Sequence, residues 1–297
     1  MSGRVLVTGA AGFVGRHLLA ELGAEAVAAQ ADVTDADALT GELRTAAPAA
    51  VCHLAAAASV ADSWRSGAET WRVNVLGTVT LLDAVRAEAP EARTLVVSTG
   101  EVYGPTPGAP ATEDTPAAPL SPYAASKAAA EVAAARAARA EGLDVVIARP
   151  FQHVGPGQDE RFAIGSWTRR LARLEREGGG VLEVGDLTVR RDLTDVRDVA
   201  RAYRLLLDPA TPAGTYNVCT GRPVELAAVV DTLVALARVP VEVRKNPALT
   251  RRVDVPVLAG DPARIEAATG WRAEIPLEQT LADALEEARR ATDEEQA

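Results

Sequence analysis

The chain has 297 residues, of which 48% are hydrophobic and 24% charged, so it can fold as one large or two smaller globular domains. Its net charge of −10 argues against a general binder of nucleic acids or acidic membranes, because such proteins present a basic face. Two cysteines in apolar stretches and three scattered histidines predict buried thiols, without a disulfide or a metal site. The first apolar stretch is too short for a signal peptide or a membrane span, so a soluble cytoplasmic protein is expected.

The first predicted elements are a buried strand at residues 4–8 and a helix that ends near Leu22. Gly9, Gly12 and Gly15 lie between them. Glycines at this spacing let the chain turn sharply and let its backbone approach a pyrophosphate at the N-terminus of a helix. Because they directly follow a strand and open a helix, they predict a dinucleotide-binding turn; the alternative is a plain tight turn.

The second strand, predicted within residues 24–30, is followed by a short connection. A dinucleotide-binding fold normally continues with a charged residue that selects the cofactor, a helix and a third strand. Too few residues lie between Gly23 and Val33 for all of these, so one strand–helix unit is predicted to be missing. Asp32 and Val33 are expected beside the adenine, but the sequence does not distinguish NAD from NADP.

Apolar strands and helices then alternate through the middle of the chain. This alternation predicts a parallel sheet with helices on both faces. Residues 105–119, rich in proline, alanine and glycine, are predicted to form a loop over the mouth of the site. Strands are predicted at residues 50–54, 94–98 and 144–148, and helices at residues 35–47, 69–89 and 123–141.

Residues that follow two of these strands are candidates for the site, because ligands of open α/β sheets bind at the carboxyl edge. Small residues at 55–58 suit close passage of the backbone past a cofactor. His53, just before them, is predicted to pack at the strand end rather than to catalyse. Thr99 lies at the tip of the next strand, two residues before Glu101, and is a candidate hydrogen-bond donor to a substrate carbonyl.

Tyr123 and Lys127 are four residues apart and therefore share one face of the predicted helix. Ser121 suits the N-cap and Pro122 the first helical position, which places Tyr123 in the first turn. A nearby ammonium and the positive helix end both stabilise a phenolate, so the pKa of Tyr123 is expected to fall toward neutrality, where tyrosine is an effective acid or base. Lys127 is one of only two lysines, which strengthens this interpretation over a surface helix without chemistry.

The second half of the chain has a different pattern, which predicts a separate substrate domain. Residues 181–184 and 187–190 flank a glycine–aspartate pair and predict a hairpin. Residues 161–204 contain ten arginines and seven acidic residues. They form either a solvated face of paired charges or an anion site, since guanidinium groups suit a diphosphate. A strand near residues 215–219 and two or three later helices complete the chain.

These motifs together resemble the extended short-chain dehydrogenase/reductase family, in its nucleotide-sugar epimerase and dehydratase branch. The resemblance covers nearly the whole chain, and within the family the reductases of GDP-4-keto-6-deoxymannose are the most similar. The motifs that carry the family resemblance are Thr8-Gly9-x-x-Gly12-x-x-Gly15, His53-Leu54-Ala55-Ala56, Ser98-Thr99, Tyr123-x-x-x-Lys127 and Arg149-Pro150. The stretches similar to the reductases are residues 149–158, 184–187, 190–198 and 216–221.

The resemblance implies an α/β fold: a Rossmann-type, doubly wound parallel sheet with a smaller, mostly helical C-terminal domain for the substrate. Residues 1–154 are expected to form the NAD(P)-binding domain, to which residues 193–220 return. Residues 155–192 and 221–297 are expected to form the nucleotide-sugar substrate domain.

The implied activity is NAD(P)H-dependent reduction of the 4-keto group of a nucleotide-diphospho-4-keto-6-deoxyhexose, in deoxysugar biosynthesis. The sugar nucleotide is a GDP derivative, with a dTDP sugar as a second possibility. A 4,6-dehydratase and a 4-epimerase of the same family are the alternatives, and a non-catalytic dinucleotide-binding sensor is a remote one. The alanines of the helix at residues 123–141 form a flat face of small side chains. This face either packs on another helix, in a homodimer through the helices at residues 69–89 and 123–141, or faces solvent.

The resemblance also assigns roles to individual residues. Those implied for catalysis are Thr99, Glu101, Tyr123 and Lys127. Those implied to bind the cofactor are Gly9, Ala11, Gly12, Phe13, Val14, Asp32, Val33, Leu54, Ala55, Ala56, Tyr123, Lys127 and Pro150. Those implied to bind the substrate are Gln152, Arg191, Arg251 and Asp254, and no metal is implied.

Three positions depart from the pattern of the family. Members usually carry asparagine where Gln152 stands and proline where Arg252 stands, which leaves the identity of the bound nucleotide open. Dehydratases often carry an acid at the place of Gly100, whereas Glu101 is shared by dehydratases and reductases. Position 100 therefore argues against the dehydratase, and position 101 does not discriminate.

Overall fold

Strands and helices alternate along the chain in the computed structural model, which describes residues 3–106, 108–249 and 255–294. The strands are β1 (Val5–Thr8), β2 (Ala26–Ala28), β3 (Ala50–His53), β4 (Arg93–Val97), β5 (Val145–Pro150), β6 (Gln152–Val154), β7 (Gly180–Val184), β8 (Arg190–Asp195), β9 (Thr215–Val218), β10 (Pro223–Glu225), β11 (Val241–Lys245) and β12 (Val257–Leu258). The α-helices are α1 (Phe13–Leu22), α2 (Ala36–Ala46), α3 (Val60–Ser63), α4 (Gly67–Trp71), α5 (Gly77–Glu88), α6 (Pro122–Glu141), α7 (Ala163–Glu177), α8 (Val196–Leu206), α9 (Leu226–Leu236), α10 (Ala263–Thr269) and α11 (Leu277–Glu294).

Six parallel strands form the main sheet, in the order β2-β1-β3-β4-β5-β9. The chain reverses its direction of winding between β1 and β3, and ligands of doubly wound sheets bind at such a switch point. Strand β2 is the edge strand, and the strand that a full dinucleotide-binding sheet adds beyond it is absent from the described part. The predicted Rossmann-type sheet and the predicted loss of one strand–helix unit are both confirmed.

Helices cover both faces of this sheet. On one face α1 and α8 bury Leu18 and Tyr203 against the strands, and on the other face α2, α5 and α6 bury Leu81 and Ala134. The central strands β1, β3 and β4 are buried over their whole length, because a parallel sheet is covered on both sides. This covering leaves the carboxyl edge as the place where ligands can reach the strands.

A second, smaller group of strands and helices follows β5. Strand β8 pairs in parallel with β6 and β12 and antiparallel with β10, and β7 pairs in parallel with β11. Helices α7, α9 and α11 pack around a separate apolar cluster that includes Leu171, Leu233 and Leu285. This cluster holds the second group of elements together independently of the core of the main sheet.

The predicted hairpin at residues 181–184 and 187–190 is wrong. Strand β7 pairs with β11 instead, and β8 pairs with three other strands. The local turn chemistry is present, since the Asp186 carboxylate accepts hydrogen bonds from the N–H (3.1 Å) and the hydroxyl (2.8 Å) of Thr188. A turn signal shows where the chain bends, but the pairing partner is selected by distant strands.

Candidate active site

The glycine turn joins β1 to α1 at the carboxyl edge of the main sheet. Gly9 has a φ of +67°, and a Cβ atom there would lie 2.7 Å from the backbone nitrogen of Ala55. A Cβ atom on Gly15 would lie 2.5 Å from the carbonyl oxygen of Ala10. Any side chain at these positions would displace backbone, so the first glycine makes the turn and the third lets α1 pack closely.

The N-terminus of α1 is open to a ligand. Gly12 is its N-cap and has no side chain to cap the first turn, and Ala11 and Gly12 are exposed. Beside the turn, the N–H of Leu54 donates to the Thr8 carbonyl (3.3 Å) and the N–H of Ala55 to the Thr8 hydroxyl (3.2 Å). A diphosphate fits this cradle, because uncapped N–H groups and the helix dipole favour an anion.

The other residues predicted to bind the cofactor lie along the same edge. The Asp32 carboxylate accepts hydrogen bonds from the N–H (2.8 Å) and the hydroxyl (2.7 Å) of Thr34, which hold the pKa of Asp32 below its usual value. Val33 is buried against Gly77, where a Cβ atom would lie 2.8 Å from the valine side chain. The remaining members of the set are Phe13 and Val14 in the first turn of α1, Ala56 after β3 and Pro150 at the end of β5.

Tyr123 and Thr99 meet at this edge. Ser121 caps α6 by accepting a hydrogen bond (3.0 Å) from a first-turn N–H, and Pro122 is the first residue of the helix, as predicted. Thr99 lies two residues after the end of β4 and is the N-cap of a short 3-10 turn. The Tyr123 hydroxyl and the Thr99 side chain are hydrogen-bonded. The structure therefore brings together the phenol and the hydroxyl that the sequence placed 24 residues apart.

The pKa of Tyr123 lies above its usual value, whereas we expected it to lie below. Burial of the phenol is the main cause, the nearby Glu101 carboxylate adds to it, and the hydrogen bond with Thr99 acts in the opposite direction. Lys127 was expected to lower this pKa, but the effect of burial prevails. Tyr123 is therefore protonated at neutral pH, which is the form that can donate a proton.

Lys127 lies one helical turn after Tyr123 and is 4% exposed. Its ammonium group donates no hydrogen bond to any residue of the described ranges. Burial lowers the pKa of Lys127 to about 8, and Glu131, one turn further along α6, opposes this effect. Because no described residue accepts a hydrogen bond from this ammonium, it fits the hydroxyl oxygens of a bound ribose, which can accept its hydrogens.

Gly100 lies between Thr99 and Glu101 and is covered by the ring of Phe151. A Cβ atom on residue 100 would lie 2.9 Å from three carbon atoms of that ring. No side chain fits there unless Phe151 moves, so an acid at position 100 is incompatible with this arrangement. The four residues predicted for catalysis lie together, and the position that often carries an acid in dehydratases is closed.

Buried polar side chains beneath the site were not predicted as a connected set. His53 is hydrogen-bonded through Nδ1 to the Thr8 hydroxyl (2.8 Å) and through Nε2 to the Thr78 hydroxyl (3.1 Å). Burial, assisted by the charge of Lys127, lowers the pKa of His53 to about 3. The imidazole is therefore neutral at physiological pH, and its predicted packing role is confirmed.

A π turn at Arg72–Leu76, between α4 and α5, directs Asn74 inward. Its side-chain oxygen accepts a hydrogen bond from the N–H of Ala57 (2.8 Å), and its amide donates to the Ser126 hydroxyl (2.9 Å). Ser126 donates in turn to the carbonyl of Tyr123 (2.7 Å). These bonds connect the loop after β3 to the start of α6, and a lone asparagine in an apolar helix was their only signal in the sequence.

Helix α1 also contacts the segment that leads into the second group of elements. The ring of Phe13 stacks on His153 at a centroid distance of 5.9 Å, and His17 is hydrogen-bonded to the Pro156 carbonyl (2.9 Å). Arg16 donates to the Gly157 carbonyl (3.0 Å). The glycine turn is therefore attached directly to the stretch in which substrate contacts were predicted.

The residues predicted to bind the substrate lie where the two groups of elements meet. Gln152 begins β6 and is half-buried. Arg191, in β8, is buried, and its guanidinium donates to the carbonyls of Arg190 (2.9 Å) and Val255 (2.6 Å). Arg251 and Asp254 were predicted to bind the substrate and lie outside the described residues.

The arginine-rich stretch between residues 161 and 204 is mainly a face of paired charges. At least seven of its ten arginines form ion pairs with acidic side chains of the described residues, which supports the simpler of the two interpretations for those seven. They are Arg161, Arg170, Arg173, Arg176, Arg197, Arg201 and Arg204.

Three further features bear on the general class of the protein. No helix within residues 3–106, 108–249 and 255–294 is long and apolar enough to cross a membrane. The same residues contain no cluster of histidine, cysteine and acidic side chains that could hold a metal ion. Cys52 and Cys219 are buried free thiols, as predicted.

Known proteins share this organisation over almost the whole chain. The profile of the family described as GDP-mannose 4,6 dehydratase matches residues 21–284. GDP-6-deoxy-D-mannose reductase of Pseudomonas aeruginosa is 38% identical over 291 residues, which cover 95% of this chain and 95% of the relative. UDP-glucose 4-epimerase of Mycolicibacterium smegmatis is 30% identical and covers 95% of this chain and 97% of its own.

A solved structure, that of RMD from Pseudomonas aeruginosa complexed with NADPH, is similar with a TM-score of 0.90 and 37% identity. The similarity covers 98% of this chain and 100% of that one. The chain therefore belongs to the GDP-mannose 4,6-dehydratase family, within the extended short-chain dehydrogenases/reductases.

Proposed function

We propose that this protein reduces the 4-keto group of a nucleotide-diphospho-4-keto-6-deoxyhexose with NAD(P)H, in deoxysugar biosynthesis. The observation that carries the proposal is the convergence of Thr99, Tyr123 and Lys127 beside an open glycine turn. The relative named GDP-6-deoxy-D-mannose reductase supports reduction, and the neighbour solved with NADPH supports a nicotinamide cofactor. A GDP sugar is the first candidate substrate, and a dTDP sugar is the second.

The cofactor would lie along the carboxyl edge of the main sheet and, when bound, would supply the hydride to carbon 4. The first turn of α1 would bind its diphosphate, since those N–H groups lack a side-chain cap. Lys127 would donate hydrogen bonds to the ribose next to the nicotinamide. The residues proposed to contact the rest of the cofactor are Gly9, Ala11, Gly12, Phe13, Val14, Asp32, Val33, Leu54, Ala55, Ala56 and Pro150.

Tyr123 donates the proton in the proposed reaction, from its hydroxyl to the alkoxide that develops at carbon 4. The raised pKa of Tyr123 suits this direction, because reduction needs the protonated phenol. The Thr99 hydroxyl donates a hydrogen bond to the same oxygen, and the charge of Lys127 favours the phenolate left after the transfer. Acid catalysis of this kind supplies roughly 10²–10⁴-fold, and orientation of the two reactants supplies much of the rest.

The substrate is proposed to lie between the two groups of elements. Its diphosphate and sugar would contact Gln152, Arg191, Arg251 and Asp254. We also propose the division into an NAD(P)-binding domain, residues 1–154 with 193–220, and a substrate domain formed by the rest. The apolar cluster that α7, α9 and α11 share apart from the main sheet supports this division.

The dehydratase is the main rival, and Gly100 argues against it. Phe151 occupies the space that an acidic side chain at position 100 would need. A 4-epimerase is the second rival; it would return its cofactor unchanged after each cycle, whereas a reductase consumes NAD(P)H. A non-catalytic sensor would have no need for the tyrosine–lysine pair, which this chain retains.

A panel of substrates tests the proposal. GDP- and dTDP-4-keto-6-deoxyhexoses are each incubated with NADH and with NADPH, and loss of absorbance of the reduced cofactor is followed. Stoichiometric oxidation of one cofactor, with NMR showing a hydroxyl at carbon 4 of the product, is the expected result. No oxidation of either cofactor with any sugar of the panel would contradict the proposal. An epimerase or a dehydratase would instead convert a sugar nucleotide that still carries its 4-hydroxyl, without net oxidation of the cofactor.

A homodimer through the helices at residues 69–89 and 123–141 is also proposed. Trp71, Leu76 and Val132 on these helices are 43%, 58% and 68% exposed, and exposed apolar groups on adjoining helices mark protein interfaces. Light scattering should give twice the chain mass of 30.9 kDa. The double variant Leu76→Glu/Val132→Glu should be a monomer, while Leu236→Glu, on the distant helix α9, should stay a dimer. A wild-type monomer would exclude this interface.

A cytoplasmic location completes the proposal. The two cysteines are reduced, and such thiols are typical of compartments in which glutathione and thioredoxin prevent disulfides. A reporter fusion with cell fractionation checks this directly.

A further inference from the structure

A buried ion pair, Glu131–Arg149, lies behind the catalytic end of α6. Arg149 donates from Nε to one carboxylate oxygen of Glu131 (2.9 Å) and from Nη2 to the other (2.6 Å). The two side chains are 10% and 11% exposed. This parallel arrangement is the strongest and most directional form of the arginine–carboxylate pair, so it fixes both side chains.

The same guanidinium connects α6 to other elements. Arg149, in β5, donates to the Tyr103 hydroxyl (2.9 Å), and Tyr103 donates to the side-chain oxygen of Asn217 in β9 (2.7 Å). Tyr103 ends the 3-10 turn that begins after Thr99. The ion pair therefore sets the position of α6 relative to β5, β9 and the turn that carries the Thr99 hydroxyl.

Glu131 is also the acidic neighbour of Lys127, one helical turn away on the same face of α6. Across from it, His53 at the end of β3 is neutral. Arg149 lies beyond the carboxylate and is paired with it. Glu101 lies beside Tyr123. The charged side chains of the helices packed against α6 form ion pairs at the surface, and they are Asp62, Glu69, Arg72, Asp83, Arg86 and Glu88.

Stability alone is a weak reason for such a pair. Removing two charges from water costs about as much as their attraction returns, and well-packed apolar side chains often stabilise a protein equally well. A buried pair next to a functional cation invites a role in placing that cation.

We propose that Glu131 is a positioning residue for Lys127: its carboxylate, held by Arg149, attracts the ammonium group from one helical turn away without hydrogen-bonding it. Only the catalytic use of the Lys127 ammonium group rests on the proposed function. The interaction itself can be measured without any substrate.

The lysine content of the chain permits a direct test, because Lys127 and Lys245 are its only lysines. Lys245 is on the surface, and its side chain is 63% exposed. The Lys245→Arg variant therefore has a single lysine, and ¹³C-labelled lysine gives NMR signals from Lys127 alone. Its titration midpoint should lie at about 8.

Adding Glu131→Gln to this variant should lower the midpoint by about one pH unit or more, because a nearby opposite charge is lost. The matched control is Glu141→Gln, the same change at the far end of α6, where Glu141 pairs with Arg136. The control midpoint should stay at its original value. An unchanged midpoint in the Glu131→Gln chain would overturn the proposal, whichever substrate the enzyme takes.

Arg149→Lys provides a second test if the glutamine variant does not fold. Lysine keeps the positive charge but cannot form two parallel hydrogen bonds with one carboxylate. We expect kcat to fall about tenfold or more, and KM for the cofactor to rise, because the misplaced Lys127 ammonium would serve neither Tyr123 nor the ribose. A lower melting temperature with an unchanged kcat would show a purely structural pair and would also overturn the proposal.

Discussion

Two buried cations next to α6 are treated in opposite ways. Arg149 donates two hydrogen bonds to Glu131 and one to Tyr103, whereas Lys127 donates none to the described residues. A polar group in the interior is costly when its hydrogen bonds are not made. A buried cation with all its hydrogen bonds made within the protein therefore indicates a structural role, and one without them indicates a ligand-binding role. The comparison indicates that the geometry of the catalytic edge depends on the Glu131–Arg149 pair behind it.

The largest effect should come from the catalytic edge itself. Tyr123→Phe removes the proton donor, so kcat should fall roughly 10²–10⁴-fold while cofactor binding, followed by fluorescence, stays nearly intact. Tyr216→Phe is the matched control, because Tyr216 lies in β9, away from the site. Among the described residues its hydroxyl donates a hydrogen bond only to the Pro212 carbonyl (2.7 Å). Turnover by the Tyr123→Phe variant at the wild-type rate would falsify the assignment of the proton donor.

Loss of the hydrogen-bonded cation, Arg149, should lower the stability of the fold. Arg149→Met leaves the Glu131 carboxylate buried without its partner, which should lower the free energy of unfolding by about 3–5 kcal/mol in urea titrations. Arg44→Met is its control, because the Arg44–Glu88 pair is at the surface and exchanges with water. The control should unfold at the wild-type urea concentration. Similar midpoints for all three proteins would erase the distinction between the two pairs.

Loss of Lys127, the cation without hydrogen bonds to the described residues, should change the free energy of unfolding in the opposite direction. Lys127→Met should abolish most activity yet stabilise the folded chain at pH 7 by about 3 kcal/mol, because the pKa of Lys127 falls from 10.5 to about 8 on folding. Chemical denaturation of the variant and the wild type at several pH values measures this difference.

The pH dependence follows from linkage. Between pH 8 and 10.5 the unfolded chain binds more protons at Lys127 than the folded chain, so wild-type stability rises with pH relative to the variant. Above pH 10.5 the stabilising effect of Lys127→Met should disappear, and below pH 8 it should be complete. A variant less stable than the wild type at pH 7 would show that Lys127 is already well paired.

The smallest effects compare two glycines. Gly9→Ala forces a side chain into a left-handed backbone and against Ala55, so it should cost about 1–3 kcal/mol and weaken cofactor binding. Gly41→Ala lies in the middle of α2, where a Cβ atom meets nothing within 4 Å. That change should stabilise the protein by about 0.5–1 kcal/mol. Calorimetry measures both, and equal signs for the two would contradict the close approach at Gly9.

The features predicted correctly are encoded by neighbouring residues or by chain length. Ser121 and Pro122 start α6, because caps act within one helical turn. The glycine turn works in the same local way. The missing edge strand followed from counting residues before Val33, since a strand and a helix need a minimum length of chain.

The failures all involve partners that are distant in sequence. The pairing of β7 with β11 replaced the predicted hairpin, and Glu131, Arg149 and Asn217 form a network across 86 residues. The sign of the Tyr123 pKa shift was wrong for the same reason, because burial is produced by the whole fold and outweighs one neighbouring charge.

Residue order alone was therefore sufficient for the parallel sheet, the glycine turn and the tyrosine–lysine face, since each depends on short spacing or on strand periodicity. The tertiary structure determined which side chains are buried away from water and which groups, distant in sequence, form hydrogen bonds with them. Those two outcomes explain why Tyr123 stays protonated, why position 100 is closed by Phe151 and why the Lys127 ammonium donates no hydrogen bond to the described residues. Desolvation and hydrogen-bond saturation are properties of packed neighbours, and packing is not local in the chain.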